Sequence, residues 1–136
     1  MTTIPAIYLN MPIKNLKRSV EFFTALGFKF NPQFTSEDST CMIVGENIFA
    51  MLCEENKFKG FLSKPIADPA STEIILSLQC ESKDQVNFLA ETAFAQGGKK
   101  INEADDQGFM YSWAFEDLDG HAWDLFWFNP DNRPSE

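Results

Sequence analysis

Residues 108–128, GFMYSWAFEDLDGHAWDLFWF, decide how the rest of the chain is read. Two aromatic and apolar runs, 109–115 and 122–128, flank the acidic turn Glu116-Asp117-Leu118-Asp119-Gly120, which is the pattern of a β-hairpin. Alternation along the second run sets Trp123, Leu125 and Trp127 on one face and Ala122, Asp124 and Phe126 on the other. Asp124 is therefore a carboxylate in an apolar strand face. A buried charge is costly unless it is paired, hydrogen-bonded or metal-bound, so Asp124 is the first candidate for chemistry. The competing reading is a structural Asp satisfied by polar neighbours.

Upstream of the hairpin, 73–80 alternates as a strand. Ser82 and Gln85 form a capping box ahead of Val86, Leu89, Ala90, Ala93 and Phe94, an apolar helical stripe that Gly97-Gly98 ends. A short edge strand at 99–102 and a polar loop at 103–108 lead into the hairpin. The first half repeats this order. Residues 4–11 read as a strand, Asn15 as the N-cap of a helix with stripe Leu16, Val20, Phe23 and Leu26, and Gly27 as its stop. Strands follow at 28–34, 40–44 and 47–53. Between the halves, 54–72 contains Gly60, Pro65 and Pro69 and has no period, so it reads as a connecting loop packed down by Phe58, Phe61 and Leu62.

The caps Asn15 and Ser82 stand 67 residues apart, which points to an internal duplication. The fold class is then α+β: one domain over 1–136, with strand-helix-three-strand modules at 4–53 and 73–130. Each module is expected to lay its helix on one face of a curved sheet, and the two open faces together would make a concave cup suited to a small molecule. Alternation gives Ile7 and Leu9 to the helix side and Tyr8 and Asn10 to the cup. It likewise gives Ile74, Leu76 and Leu78 to the helix side and Glu73, Ile75, Ser77 and Gln79 to the cup. The fourth strand offers either Ile48, Ala50 and Leu52 or Phe49 and Met51, and alternation does not choose. Tyr8, Asn10, Ser77 and Asp124 would then form a polar floor under apolar walls, or a core network with no ligand.

Composition narrows the partners. A net charge of −9 with eleven scattered basic residues excludes nucleic acid, leaves a cationic ligand open, and also serves solubility. There is no signal-peptide pattern at the N-terminus and no apolar run of membrane-spanning length, so the expectation is a soluble cytoplasmic protein with no membrane partner. Cys41, Cys53 and Cys80 lie in strand-like runs without a Cys-x-x-Cys motif and read as buried reduced thiols. With His121 the single histidine, a two-His-one-carboxylate iron centre is excluded, and no Ser-His triad can be built. His121 is expected to cap or pack the hairpin turn. Phe22, Phe23, Phe28, Phe30 and Phe34 are read as core and dimer surface, and residues 131–136 as a loose tail.

With IYLNMPIKNLKRSVEFFTALGF at 7–28 and FEDLDGHAWDLFWFNP at 115–130, the chain resembles the vicinal oxygen chelate superfamily of glyoxalase I, bleomycin-resistance proteins and extradiol dioxygenases. Within it, the chain looks like the bacterial subgroup labelled predicted lactoylglutathione lyases, over about residues 4–130. The resemblance implies a βαβββ cup that in metal-dependent members holds one divalent ion by four side chains. Carried onto this sequence, the ligand positions fall at Tyr8, near Ala50, near Ile75 and at Asp124. A phenol, a methyl group and an alkyl chain are poor ligands, and a slip of one strand step adds only Asn10 or Ser77. No metal cofactor is therefore expected. The resemblance leaves two functions open: a homodimeric module binding a small organic molecule, or a glyoxalase I type isomerase in which a metal polarises an enediolate.

Overall fold

The structure is a computed structural model that describes residues 1–131; the tail expected at 131–136 lies outside the described residues except for Asp131. The chain divides into two compact units at Asp68/Pro69.

In the first unit, β1 (Ile7–Ile13) leads through Asn15 into α1 (Leu16–Ala25), followed by β2 (Lys29–Asn31), a 3-10 turn (Pro32–Phe34), β3 (Ser39–Gly45), β4 (Ile48–Glu54) and α2 (Glu55–Lys59). Asn15 caps as expected, its side chain accepting from the Arg18 amide at 2.9 Å. The Glu54 carboxylate reaches back from the end of β4 to accept from the Leu16 amide at 2.9 Å, so an anion joins the neutral Asn15 cap at the positive helix end. Gly27 closes α1 at φ 101°, a left-handed conformation that favours glycine. The sheet order is β1-β4-β3-β2, with β1 parallel to β4 and the remaining pairs antiparallel.

In the second unit, β5 (Ile75–Gln79), α3 (Lys83–Ala95), β6 (Lys99–Lys100), β7 (Asp105–Asp106), β8 (Met110–Glu116) and β9 (Ala122–Phe128) repeat the plan. The order is β5-β9-β8-β6, β5 runs parallel to β9, and β7 adds a two-residue pairing to β8. Ser82 accepts from the Gln85 amide at 3.0 Å as the expected N-cap, while Gln85 Oε1 accepts at 2.7 Å from the amide of Glu81, one residue before the cap, in place of the Ser82 amide that a capping box would use. The expected architecture of two βαβββ modules is the observed one.

Each core lies between sheet and helix. In the first unit Met11, Ile13, Met42, Ala50 and Leu52 are buried with Phe22, Phe23 and Leu26; in the second, Leu76, Phe115, Trp123 and Leu125 are buried with Val86, Leu89, Ala90 and Ala93. Burying this apolar area is the main drive for folding. Phe22 and Phe23 meet edge to face at 5.0 Å, whereas Phe115 and Trp123 stack on neighbouring strands at 6.4 Å.

Several local expectations need correction. The buried side of α1 includes Ser19 and Phe22, while Leu16 and Val20 stay half-buried, so the stripe is rotated from the one that hydrophobicity suggests. The strand expected at 28–34 stops at Asn31, because Pro32 cannot donate a ladder hydrogen bond and Asn31 instead caps a 3-10 turn by accepting from the Gln33 amide at 3.0 Å. The connection 54–72 contains α2, and the loop 103–108 contains β7. Ile74 precedes β5 and is 56% exposed, so it does not join Leu76 and Leu78 on the helix side. Phe34 is also exposed. No helix among the described residues is long and apolar enough to cross a membrane.

Candidate functional site

The faces away from the helices are where ligand chemistry can sit. On the first module, strand register puts Tyr8 beside Phe49, Asn10 beside Met51, Met51 beside Cys41 and Phe49 beside Ile43. The Tyr8 and Phe49 rings stack at 4.6 Å with an interplanar angle of 18°. Tyr8 stays half exposed, so this flat aromatic pair is open to solvent.

On the second module, Ser77 stands beside Asp124, and Ala114 flanks Asp124 from the other strand. Ser77 Oγ donates to Asp124 Oδ2 at 3.2 Å. Ile75 and Gln79 flank Ser77 on the same face and are exposed. Phe126 and Phe128, two and four residues beyond Asp124, pack edge to face at 5.2 Å. The result is one carboxylate, one hydroxyl and an apolar surround. Cys80, just beyond β5, is buried; desolvation pushes its thiol up to about 11, with the Asp124 charge adding to the rise. It is an inert thiol, not a nucleophile.

The sequence-derived residues are thus split by face. Tyr8 and Asn10 share the open face of the first module, and Ile75, Ser77 and Asp124 that of the second. Ala50 does not belong with them. It is fully buried and in register with Leu9 and Met42, which places it on the helix side. The open alternative in β4 resolves to Phe49 and Met51. The repeat gives the same answer: Asn10 and Ser77 each precede their helix cap by five residues, and their ladder partners are Met51 and Asp124, so the counterpart of Asp124 is Met51.

Asp124 is not the buried carboxylate that alternation suggested, because it remains half-buried. The buried one is Asp117, 6% exposed, in the hairpin turn. Its Oδ1 accepts from the amides of Asp119 at 2.9 Å and His121 at 3.0 Å, and its Oδ2 accepts from Trp123 Nε1 at 3.0 Å. Burial drives its carboxyl above the ordinary Asp value, and His121 together with these hydrogen bonds opposes the rise. His121 belongs to this turn, as its place in the sequence implied. The missed signal was Trp123: an indole N–H in a buried strand needs an acceptor, and the turn acid six residues earlier supplies it.

The fold that these modules define is that of the glyoxalase, bleomycin-resistance and dioxygenase proteins. Over residues 6–45 the chain matches the family described as Bleomycin resistance protein-like N-terminal. A hypothetical protein, SA1046 from S. aureus, is similar at 25% identity with a TM-score of 0.77, covering 92% of this chain and 95% of that one. A glyoxalase/bleomycin resistance protein/dioxygenase family enzyme from Burkholderia phytofirmans PsJN superimposes with a TM-score of 0.74 at 13% identity, covering 90% of this chain and 97% of that one. A glyoxalase-related enzyme from Fulvimarina pelagi does so with a TM-score of 0.74 at 17% identity, covering 100% and 99%. No curated protein sequence matches the chain.

The resemblance implied a divalent ion, and the donors can be tested against it. Among the described residues, no three His, Cys, Asp or Glu side chains gather as a metal site. At the implied positions, Tyr8 offers a phenol and Ile75 no donor, Ala50 faces away, and Asp124 is a single carboxylate already accepting from Ser77. This set does not fit a catalytic divalent ion, which takes three or more N, O or S ligands.

Proposed function

We propose that this protein binds a small organic molecule without a catalytic metal, and that the ligand carries an ammonium group held by Asp124. The observation that carries this reading is the Ser77–Asp124 pair set among Ile75, Phe126 and Phe128 on an open sheet face. A lone carboxylate beside aromatic rings suits an organic cation, since the acid supplies charge and the rings supply apolar area and a negative π face. The overall charge of −9 favours approach of such a ligand.

The lactoylglutathione-lyase reading requires a metal to polarise the substrate, and the donor set does not supply its site. The proposal includes a homodimer, in keeping with exposed Phe34, Phe61 and Phe88, and light scattering that returns a monomer mass would remove that part.

Titration calorimetry against aromatic amines and cationic glycopeptides tests the main reading. Binding is expected with Asp124→Asn weakening it by roughly tenfold or more, the loss of one charge-assisted hydrogen bond. Uniform absence of heat, or equal affinity for Asp124→Asn, would refute it. Stoichiometric nickel or zinc in protein purified without chelator, lost on Asp124→Ala, would instead restore the isomerase.

A further inference from the structure

The polar pair on the open face of the second module holds more acceptors than a single charge requires, and this bears on the kind of cation it takes. Ser77 on β5 and Asp124 on β9 are register partners, and their side chains meet at 3.2 Å. A carboxylate has no proton to give, so the hydroxyl is the donor and its one hydrogen points at Oδ2. The lone pairs of Ser77 Oγ are left for an incoming donor, and the bond takes only one of the roughly four lone-pair sites of the carboxylate. On the other flank, Ala114 of β8 stands opposite Asp124 and brings only a methyl group. Ser77 is exposed and Asp124 half-buried, so a small molecule reaches both. The pair therefore presents acceptors outward and no donor.

We propose that Ser77 makes this site selective for a primary ammonium group over a quaternary one; the inference rests on the reading that Asp124 holds an organic cation. The apolar surround alone would not choose in this way. Aromatic faces attract a trimethylammonium group as well as an NH3+ group, and the three methyl groups would bury more apolar area against Ile75, Phe126 and Phe128. The two oxygens decide it. A primary ammonium carries three N–H donors. Acceptors 3.2 Å apart let one nitrogen lie about 2.9 Å from each, with N–H···O angles of about 150°, within the range of sound hydrogen bonds. One N–H then goes to Asp124 Oδ2, a second to Ser77 Oγ, and the third to water on the open side. A quaternary nitrogen bears no hydrogen. Its methyl shell holds the charge farther from the carboxylate and strips water from both oxygens without replacing it, which is costly for polar groups. Ser77 is thus a specificity-determining residue, adding a second acceptor that only an N–H-bearing cation uses.

The test is a chemical-shift titration of the full nitrogen-15-labelled chain with benzylamine and with benzyltrimethylammonium, which share a ring and a charge and differ in their N–H donors. The method reads weak binding, and the amides of Ser77 and Asp124 report on the site. Benzylamine is expected to bind about tenfold more tightly or better, the worth of one charge-assisted hydrogen bond. In Ser77→Ala the ratio should narrow to a few-fold, because Asp124 alone still accepts one N–H, and in Ser77→Thr, which keeps the hydroxyl, it should return to that of wild type. Equal affinity of the wild-type chain for the two probes, or a ratio unchanged in Ser77→Ala, overturns the inference and leaves cation binding at Asp124 standing. If neither probe moves these amides, the inference falls together with the reading it rests on. The same spectra show whether each variant keeps the wild-type fold, and the wild-type ratio is a test that needs no variant.

Discussion

Replacing Asp117 isolates what a buried turn carboxylate contributes to this fold. In Asp117→Ala three donors lose their acceptor: the amides of Asp119 and His121, which are half-buried and can find water, and Trp123 Nε1, whose residue is 1% exposed and cannot. Leaving one buried donor unpaired costs about 1–3 kcal/mol and each amide bond to a charged acceptor is worth about 1.5–3 before water replaces it, partly offset by removing a desolvated charge, so a net loss of about 3 kcal/mol is expected. Asp117→Asn is more discriminating. Its remaining oxygen still serves the two amides, but its NH2 now faces the indole N–H, donor against donor, and the expected loss is about 2 kcal/mol.

Urea unfolding followed by tryptophan fluorescence and circular dichroism measures both. In a double-mutant cycle, Asp117→Asn should cost about 1–2 kcal/mol less in a Trp123→Phe background, because the conflicting donor is gone. The pH dependence gives a third check. The folded carboxyl is raised above its unfolded value, so the native state binds more protons and this group's contribution falls as pH rises from the unfolded Asp value through the folded one. The stability of wild type relative to Asp117→Asn should shrink across that window and stay flat above it. An additive cycle, or a wild-type advantage that grows with pH, would refute the assignment.

Other outcomes follow from single positions. Gly98→Ala would set a β-carbon 2.8 Å from the Glu116 carbonyl oxygen and 2.9 Å from that of Ala93, both backbone atoms, so about 2 kcal/mol or more should be lost in thermal unfolding. Gly27→Ala meets nothing within 4 Å and should lose only the left-handed backbone penalty of about 1–2 kcal/mol. Asn15→Ala and Ser82→Ala should each cost about 1 kcal/mol by chemical denaturation, with Asn15→Ala the milder because Glu54 still holds the Leu16 amide. In the folded chain the Cys80 thiolate should appear in ultraviolet absorbance only near pH 11, and titration near the ordinary thiol value would contradict its burial.

The repeat was legible because its signals are local. Asn15, Ser82 and the glycines after each helix mark ends by backbone chemistry that tertiary packing does not override, and the hairpin 108–128 shows alternation strong enough to set its faces. β4 was not legible, since Ile48, Ala50 and Leu52 are as apolar as Phe49, Met51 and Cys53, and only the register with β1 assigns Ala50 to the helix side. The buried acid was placed seven residues too late, at Asp124 instead of Asp117, because a turn acid reads as solvated unless the distant need of Trp123 is counted. The short α2 and β7 escaped notice because five and two residues are too few to show a period.

The parallel pairing in each module has a consequence for how the chain matures. β1 ends at Ile13 but its ladder partner β4 begins at Ile48, and β5 ends at Gln79 while β9 begins at Ala122. A nascent chain can zip the β3–β4 and β8–β9 hairpins almost as they emerge, yet each opening strand waits for the last one made before it is locked. A ribosome stalled short of Ala122 would thus hold a finished first half and a second half with an unclaimed β5, a bare edge for other chains to annex.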